Sequence, residues 1–142
     1  MGIEYPADPL QGPIEQEENE ATFLIIKPDA YEHGIVDSIF AEIEAMGLRV
    51  VQRREVVFDE ELIFRTWPNI YGESWVQRTV DYLSRRPVEV CLVQGPGAIE
   101  KMLALKRRLR TEYPNPDKVV TVIHTSDSRE ESEEATLALF DQ

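Results

Sequence analysis

A chain of 142 residues is long enough to form one domain with a substantial hydrophobic core, and its formal net charge is −12 at pH 7. Such an acidic balance disfavours nucleic acid as a partner, and no apolar stretch is long enough to cross a membrane. Cys91 is the single cysteine and lies in an apolar run, so we expect a buried side chain without an intrachain disulfide. We interpret the protein as intracellular and cytoplasmic.

The first twenty residues differ in composition from the rest of the chain. Residues 1–20 contain six acidic residues and three prolines but no lysine or arginine. A segment of this kind buries too little apolar surface to offset the entropy that is lost on ordering. We therefore expect a flexible acidic leader over 1–20, followed by one folded domain over 21–142.

Apolar periodicity predicts a strand, a helix and a second strand after the leader. The run Thr22–Lys27 predicts a buried strand that ends at Pro28-Asp29. Apolar residues at helical spacing predict a helix that ends at Gly47, and they are Ile35, Ile39, Phe40, Ile43 and Met46. The charged residues within Leu48–Phe58 are typical of a strand at the edge of a sheet or exposed on one side.

Helices and strands continue to alternate in the middle of the chain. Asp59 predicts the N-cap of a helix that ends near Trp67-Pro68, and Glu73–Leu83 predicts another helix. The run Val88–Val93 predicts a strand. Helical spacing continues in the apolar residues Ala98, Ile99, Met102, Leu103 and Leu109.

The last two predicted elements surround one of the two histidines of the chain. The β-branched run Val119–Ile123 predicts a strand that ends on His124, and a helix over 128–139 follows. A titratable nucleophile near the N-terminus of a helix is well placed to meet an anion such as phosphate. The order of all elements predicts a four-stranded α+β sandwich with helices on one or both faces of the sheet.

Three segments of the chain resemble the nucleoside diphosphate kinase family. They are Phe23–Ala30, Gly34–Val36 and Ile123–Ser128, and the resemblance extends from Ala21 to Phe140. It implies a ferredoxin-like βαββαβ fold, an α+β sandwich with helices packed on a four-stranded antiparallel sheet. It also implies transfer of the γ-phosphate of a nucleoside triphosphate to a nucleoside diphosphate through a phosphohistidine. Mg²⁺ is then expected to arrive with the nucleotide, and the expected assembly is a homodimer.

The resemblance also implies roles for individual residues. His124 corresponds to the phosphorylated histidine, Ser126 to a serine that orients the site, and Lys27 to a phosphate-binding lysine. The resemblance implies nucleotide contacts at four more positions. Trp75 corresponds to an aromatic residue stacked on the base, and Trp67 falls where the family has a tyrosine near the phosphates. Arg108 corresponds to an arginine at the terminal phosphate, and Thr121 falls where the family has an asparagine at the ribose. Arg107 and Arg110 replace Arg108 in this scheme if the alignment shifts.

Other positions depart from the family pattern. Asp117-Lys118 alone separates Pro116 from the last predicted strand, so the family's longer loop with a second arginine is missing. The helix glutamate that binds the histidine in the family falls nearest Ala135. The exposed face of the last helix is expected to carry Glu131, Glu133 and Glu134.

These departures leave more than one function open. The first is an active nucleoside diphosphate kinase, and the alternative is a catalytically weak or inactive nucleotide-binding or regulatory module of the same fold. A third alternative is a phosphorylated metabolite or protein as the substrate. Trp75 also fits a role in packing, and the basic run 105–110 fits a solvated helix face.

Overall fold

The computed structural model describes residues 20–67, 74–117 and 119–140. Within these ranges four strands form one sheet in the order β2-β3-β1-β4, and they are β1 (Ala21–Ile26), β2 (Arg49–Val56), β3 (Val88–Gln94) and β4 (Ile123–Thr125). Each neighbouring pair is antiparallel. The described helices are α1 (Pro28–His33), α2 (Val36–Ala45), α3 (Glu60–Thr66), α4 (Val76–Leu83), α5 (Ala98–Glu112) and α6 (Arg129–Phe140). The predicted α+β ferredoxin-like sandwich is confirmed.

Strand β1 organises a hydrophobic core on each face of the sheet, because successive side chains of a strand point to opposite faces. Leu24 and Ile26 pack with residues of α2 and α5, whereas Phe23 and Ile25 pack with residues of α3, α4 and α6. All four side chains are fully buried, as the uninterrupted apolar sequence predicts. His124 pairs with Ile25 across β1 and β4 and therefore lies on the face covered by α3, α4 and α6.

Several local predictions are confirmed. Asp59 is the N-cap of α3, and its Oδ1 accepts the backbone N–H of Leu62 at 2.8 Å. Helix α2 ends before Gly47, whose φ of +83° lies in the left-handed region that glycine adopts without strain. Cys91 is buried in β3, and burial raises the pKa of its thiol to about 12.

The helices differ from the predictions in two places. Helix α1 was not predicted, although Pro28 occupies its first turn and Gly34 ends it with a φ of +72°. Helix α4 begins at Val76, and the predicted start at Glu73 lies outside the described residues. None of the helices in the described ranges combines the length and apolar character needed to cross a bilayer.

The prediction of a strand over Val119–Ile123 is wrong, because β4 covers Ile123–Thr125. Val122 has a φ of +70°, and the N–H of Ile123 donates to the carbonyl of Thr121 at 2.7 Å across it. This geometry is a tight γ-turn, which ends any extended run through these residues. His124 consequently lies inside a strand rather than after one.

Glu20 contacts the folded domain at two elements. Its Oε1 accepts the N–H of Ile99 in the first turn of α5 at 3.0 Å, and its Oε2 lies 3.0 Å from Arg129 Nη2 at the start of α6. Glu20 is therefore part of the domain rather than of the leader. Residues 1–19 lie outside the described residues, and the flexible leader stays a prediction there.

Candidate active site

A cavity of about 410 Å³ opens on the face of the sheet that carries His124. Four of its lining residues were assigned roles from the resemblance, and they are Lys27, Trp67, Trp75 and His124. Arg78 and Glu131, to which the sequence analysis gave no role in the site, line it as well. The cavity thus combines an imidazole, two basic side chains, a carboxylate and two large aromatic rings.

The ring of His124 is held in place from three sides. It packs against Phe23 with ring centroids 5.5 Å apart and against the edge of Trp67 at 5.3 Å. Its Nε2 lies 2.9 Å from Oε2 of Glu131, and 16 % of the side chain is exposed. Burial lowers the pKa of His124, the hydrogen bond to Glu131 opposes this, and the charge of Lys27 adds to the lowering. The net decrease keeps the imidazole neutral near pH 7.

Glu131 lies in the first turn of α6 and accepts three hydrogen bonds. Besides the His124 contact, its Oε2 accepts from Trp67 Nε1 at 3.1 Å and its Oε1 accepts the N–H of Asp127 at 2.8 Å. Burial opposes ionisation, but the hydrogen bonds from His124 and Asp127 outweigh it and lower the pKa of Glu131 to about 2. The carboxylate is therefore charged wherever the imidazole is neutral.

One expectation about the last helix is wrong. Glu131 does not lie on its exposed face, because the capping hydrogen bond from its N–H to Ser128 Oγ at 3.1 Å fixes it in the turn that faces His124. Ala135, to which the family's glutamate was aligned, is buried in the hydrophobic core. The carboxylate that contacts the histidine is thus four residues earlier on the helix.

Lys27 follows the last residue of β1 and is nearly buried at the cavity wall. Its Nζ donates to the carbonyl of Val119 at 3.0 Å and to Oγ1 of Thr121 at 2.8 Å. Burial, followed by the positive charge of Arg110, lowers the pKa of Lys27 to about 8. Thr121, predicted at the ribose, therefore holds the lysine in this structure.

A buried network supports the γ-turn before His124. Oδ2 of Asp29 accepts the N–H of Val122 at 2.9 Å, and its Oδ1 accepts the hydroxyl of Tyr82. The N–H of Asp29 donates to the same hydroxyl at 2.8 Å. Burial and the bond to Asp29 raise the pKa of Tyr82, so the hydroxyl stays a donor. A left-handed φ at valine costs on the order of 1–3 kcal/mol, and these bonds hold Val122 in that conformation.

The structure does not bring Arg108 to the cavity. Its guanidinium lies on the outer side of α5, where it pairs with Glu42 and with Glu112, the latter at 2.8 Å. Arg110 is closer to the site, since it lines an adjacent cavity of about 270 Å³ together with Thr121.

Ser126 and Trp75 take different positions relative to the cavity. Ser126 is fully buried, and its hydroxyl lies 2.6 Å from Oγ1 of Thr22 in β1, so it links the strands rather than lining the cavity. Trp75 is the N-cap residue of α4 and exposes its indole to the cavity. Trp67, which follows α3, holds Glu131 through its indole N–H.

Sequence reasoning missed three contributors to the site. Glu131 had a usable signal, because Ser128 and Glu131 have the spacing of a helix cap in which the third residue of the first turn folds back. Asp29 and Arg78 carried no comparable local signal. Their partners, Val122 and Asp117, are distant in sequence.

The described residues contain no group of three or more His, Cys, Asp or Glu side chains that could hold a metal ion. The carboxylate nearest His124, that of Glu131, is occupied by its three hydrogen bonds. The donor set in this part of the chain therefore does not fit a resident metal site.

Comparison with known proteins agrees with this architecture. The family model for nucleoside diphosphate kinase matches residues 20–142. The nucleoside diphosphate kinase of Pyrococcus furiosus is 33% identical over 128 residues, which cover 82% of this chain and 80% of that protein. The enzyme of that name from Chloroflexus aurantiacus is 30% identical over 131 residues, covering 85% and 87%.

Solved structures share the fold of this chain. The crystal structure of the Aquifex aeolicus nucleoside diphosphate kinase has a TM-score of 0.75 at 25% identity and covers 85% of this chain and 94% of that one. The halophilic nucleoside diphosphate kinase of Halobacterium salinarum, solved in complex with CDP, has a TM-score of 0.77 at 24% identity, covering 87% and 89%. This chain belongs to the nucleoside diphosphate kinase family.

Proposed function

We propose that the protein transfers the γ-phosphate of a nucleoside triphosphate to a nucleoside diphosphate through phosphorylated His124. The observation that carries the proposal is the 2.9 Å contact between His124 Nε2 and Glu131 Oε2, in the wall of a cavity that also contains Lys27. A neutral imidazole that is held by a carboxylate through one nitrogen is equipped for nucleophilic attack through the other.

The hydrogen bond to Glu131 supports Nδ1 of His124 as the attacking atom. An ionised carboxylate can only accept, so Nε2 carries the ring proton and Nδ1 carries the free lone pair. The Nδ1 lone pair attacks the γ-phosphorus while the bond from that phosphorus to the β-phosphate oxygen breaks. The nucleoside diphosphate leaves with the electron pair of the broken bond, and Glu131 stabilises the positive charge that develops on the ring.

The second half-reaction reverses these bond changes on another nucleotide. A β-phosphate oxygen of the acceptor diphosphate attacks the phosphorus, and the bond to Nδ1 breaks. The electron pair returns to Nδ1, which restores the neutral imidazole. Each half-reaction therefore balances without an additional proton donor or acceptor.

The surrounding side chains have supporting roles in this proposal. Lys27 neutralises phosphate charge, Trp75 offers an aromatic surface to the base, and Trp67 fixes Glu131. Thr121 acts through Lys27, and Ser126 acts through the link between β4 and β1. Mg²⁺ enters with the nucleotide phosphates and supplies further charge neutralisation there. No step is assigned to a metal site of the protein.

Labelling with γ-³²P-ATP and Mg²⁺ tests the nucleophile. We expect acid-labile, base-stable label on the wild-type protein and its discharge by added nucleoside diphosphate. His124→Ala should take up no label, whereas His33→Ala, which changes the other histidine of the chain, should be labelled like wild type. If the wild-type protein binds ATP but takes up no label, the transfer mechanism is wrong and the nucleotide-binding module is the better description.

We also propose a homodimer. Strand β2 lies at an edge of the described sheet, and Val51 on it is 40% exposed. An edge strand offers unpaired backbone groups to a second copy. Light scattering should give the mass of two chains; a mass of one chain or of six contradicts the proposal.

A further inference from the structure

Arg78 is a cation at the catalytic cavity that the mechanism above does not use. It lies on α4, and its side chain lines the cavity together with Lys27 and His124. Its Nη1 is 2.9 Å from Oδ1 of Asp117, and the two side chains are 53% and 41% exposed. An ion pair at this level of exposure is weak and can exchange for a stronger partner.

Asp117 is the fixed member of this ion pair. Its Oδ1 also accepts the N–H of Val119 at 3.1 Å, and its own N–H donates to Oδ1 of Asn115 at 2.8 Å. The carboxylate is therefore held in a turn of the segment that supplies the Val119 carbonyl to Lys27. Arg78 is tied only through its long side chain, so it can swing from Asp117 into the cavity without a backbone change.

A nucleotide bound in this cavity carries more negative charge than Lys27 alone can balance, and Arg78 can supply further positive charge. Among the described residues that line the cavity, the basic side chains are those of Lys27 and Arg78, besides the imidazole of His124. The ammonium of Lys27 is nearly buried and already donates to Val119 and Thr121. A nucleoside diphosphate brings more negative charge than one such ammonium balances. A guanidinium, with its planar fork of donors, matches two phosphate oxygens at once.

We propose that Arg78 is a phosphate-binding residue, which leaves Asp117 and pairs with the phosphates of the bound nucleotide beside His124. The inference rests on the proposed function, because it presumes that this cavity takes nucleotide. Asp117 then acts as a competing ligand that holds Arg78 at the cavity rim until phosphate arrives.

Calorimetric titration with ADP and Mg²⁺ at low ionic strength tests this role. Arg78→Ala should weaken ADP binding roughly 10- to 100-fold, the effect of losing a charge-assisted contact, and Arg78→Lys should fall between that variant and wild type. Asp117→Asn should bind ADP at least as tightly as wild type, because it removes the competing charge and keeps an oxygen for Val119. Arg85→Ala is the matched control, since Arg85 is also an exposed arginine in a surface ion pair, with Glu32 at 3.4 Å.

Two outcomes overturn the inference alone. One is an Arg78→Ala variant, folded by circular dichroism, that binds ADP like wild type. The other is an Asp117→Asn variant that loses as much affinity as Arg78→Ala, which means that the ion pair acts by shaping the wall. In both cases the wild-type protein still binds ADP and still takes up label at His124. If the wild-type protein binds no ADP, the proposed function is wrong, and the role proposed for Arg78 is wrong with it.

Discussion

Glu131 folds back across the first turn of α6, so that its Oε2 lies 2.9 Å from Nε2 of His124. The same oxygen accepts the indole N–H of Trp67, and Oε1 accepts the N–H of Asp127. Both carboxylate oxygens are therefore fixed from separate elements of the fold. Because the carboxylate cannot rotate freely, it sets the plane of the imidazole and the nitrogen that carries the proton.

The first prediction concerns this contact. Glu131→Gln should slow phosphorylation of His124 by about 10- to 100-fold, because a neutral amide stabilises the developing ring charge less than a carboxylate does. Rapid-quench labelling with γ-³²P-ATP measures the rate. Glu133→Gln changes an exposed residue on the same helix and should leave the rate unchanged. Equal rates in all three proteins contradict a role for Glu131.

A second prediction follows from the sign of the electrostatic contact. Glu131 raises the pKa of His124 against the lowering by burial, so its removal should lower that pKa further. The acid limb of the rate profile in Glu131→Gln should therefore move to lower pH. Titration of the two histidines by NMR, assigned with a His33→Gln variant, provides the measurement. A higher His124 pKa in Glu131→Gln is the contrary result.

Strands β1 and β4 differ in how well they could be predicted from the sequence. Strand β1 and the cap at Asp59 were predictable, because a continuous apolar run and a capping residue are both recognised from residues within a few positions of one another. The start of β4 was not, because Val122 is held in its turn by Asp29, which lies 93 positions away. The β-branched run before His124 favours a strand, but the hydrogen bond from the N–H of Val122 to the distant carboxylate of Asp29 stabilises a turn there instead.

The candidate site divides in the same way. The motifs around Lys27 and His124 pointed to two side chains that do line one cavity. Arg108 was placed by counting from Asn115, but the helical phase of α5 buries Leu105 and Leu109 and turns Arg108 outward to Glu42. Counting back from Asn115 identifies the corresponding residue of α5 only if no residue has been inserted or deleted between the two positions.

The third prediction concerns Lys27 and pH. Its pKa of about 8 means that the ammonium is charged below that pH and is progressively lost above it. Wild-type affinity for ADP should therefore be full near pH 7 and decline above pH 8, with a slope approaching tenfold per pH unit. Lys27→Arg keeps its charge throughout and should show a flat profile over the same range. A wild-type profile as flat as that of the variant contradicts this role for the ammonium.

The fourth prediction concerns the network beneath the γ-turn. Tyr82→Phe should lower the free energy of unfolding by about 1–3 kcal/mol, because it leaves Oδ1 and the N–H of Asp29 without their buried partner. It should also slow labelling of His124, since Asp29 fixes Val122 two residues before His124. Urea denaturation and the labelling assay measure the two effects. Tyr31→Phe, which removes a hydroxyl bonded to the N–H of Glu89, should affect stability without slowing labelling.

The fifth prediction separates two arginines on α5. Arg108→Ala should leave ADP binding unchanged and cost less than about 1 kcal/mol of stability, because it removes exposed ion pairs. Arg110→Ala should instead raise the pKa of Lys27, whose lowering is due in part to the charge of Arg110. The decline of ADP affinity at alkaline pH should then begin at a higher pH in Arg110→Ala than in wild type or Arg108→Ala. The contrary result is that Arg108→Ala loses affinity for ADP while Arg110→Ala keeps the wild-type pH profile. In that case the alignment that placed Arg108 at the terminal phosphate is correct, and the guanidinium of Arg108 leaves its outward position when ADP binds.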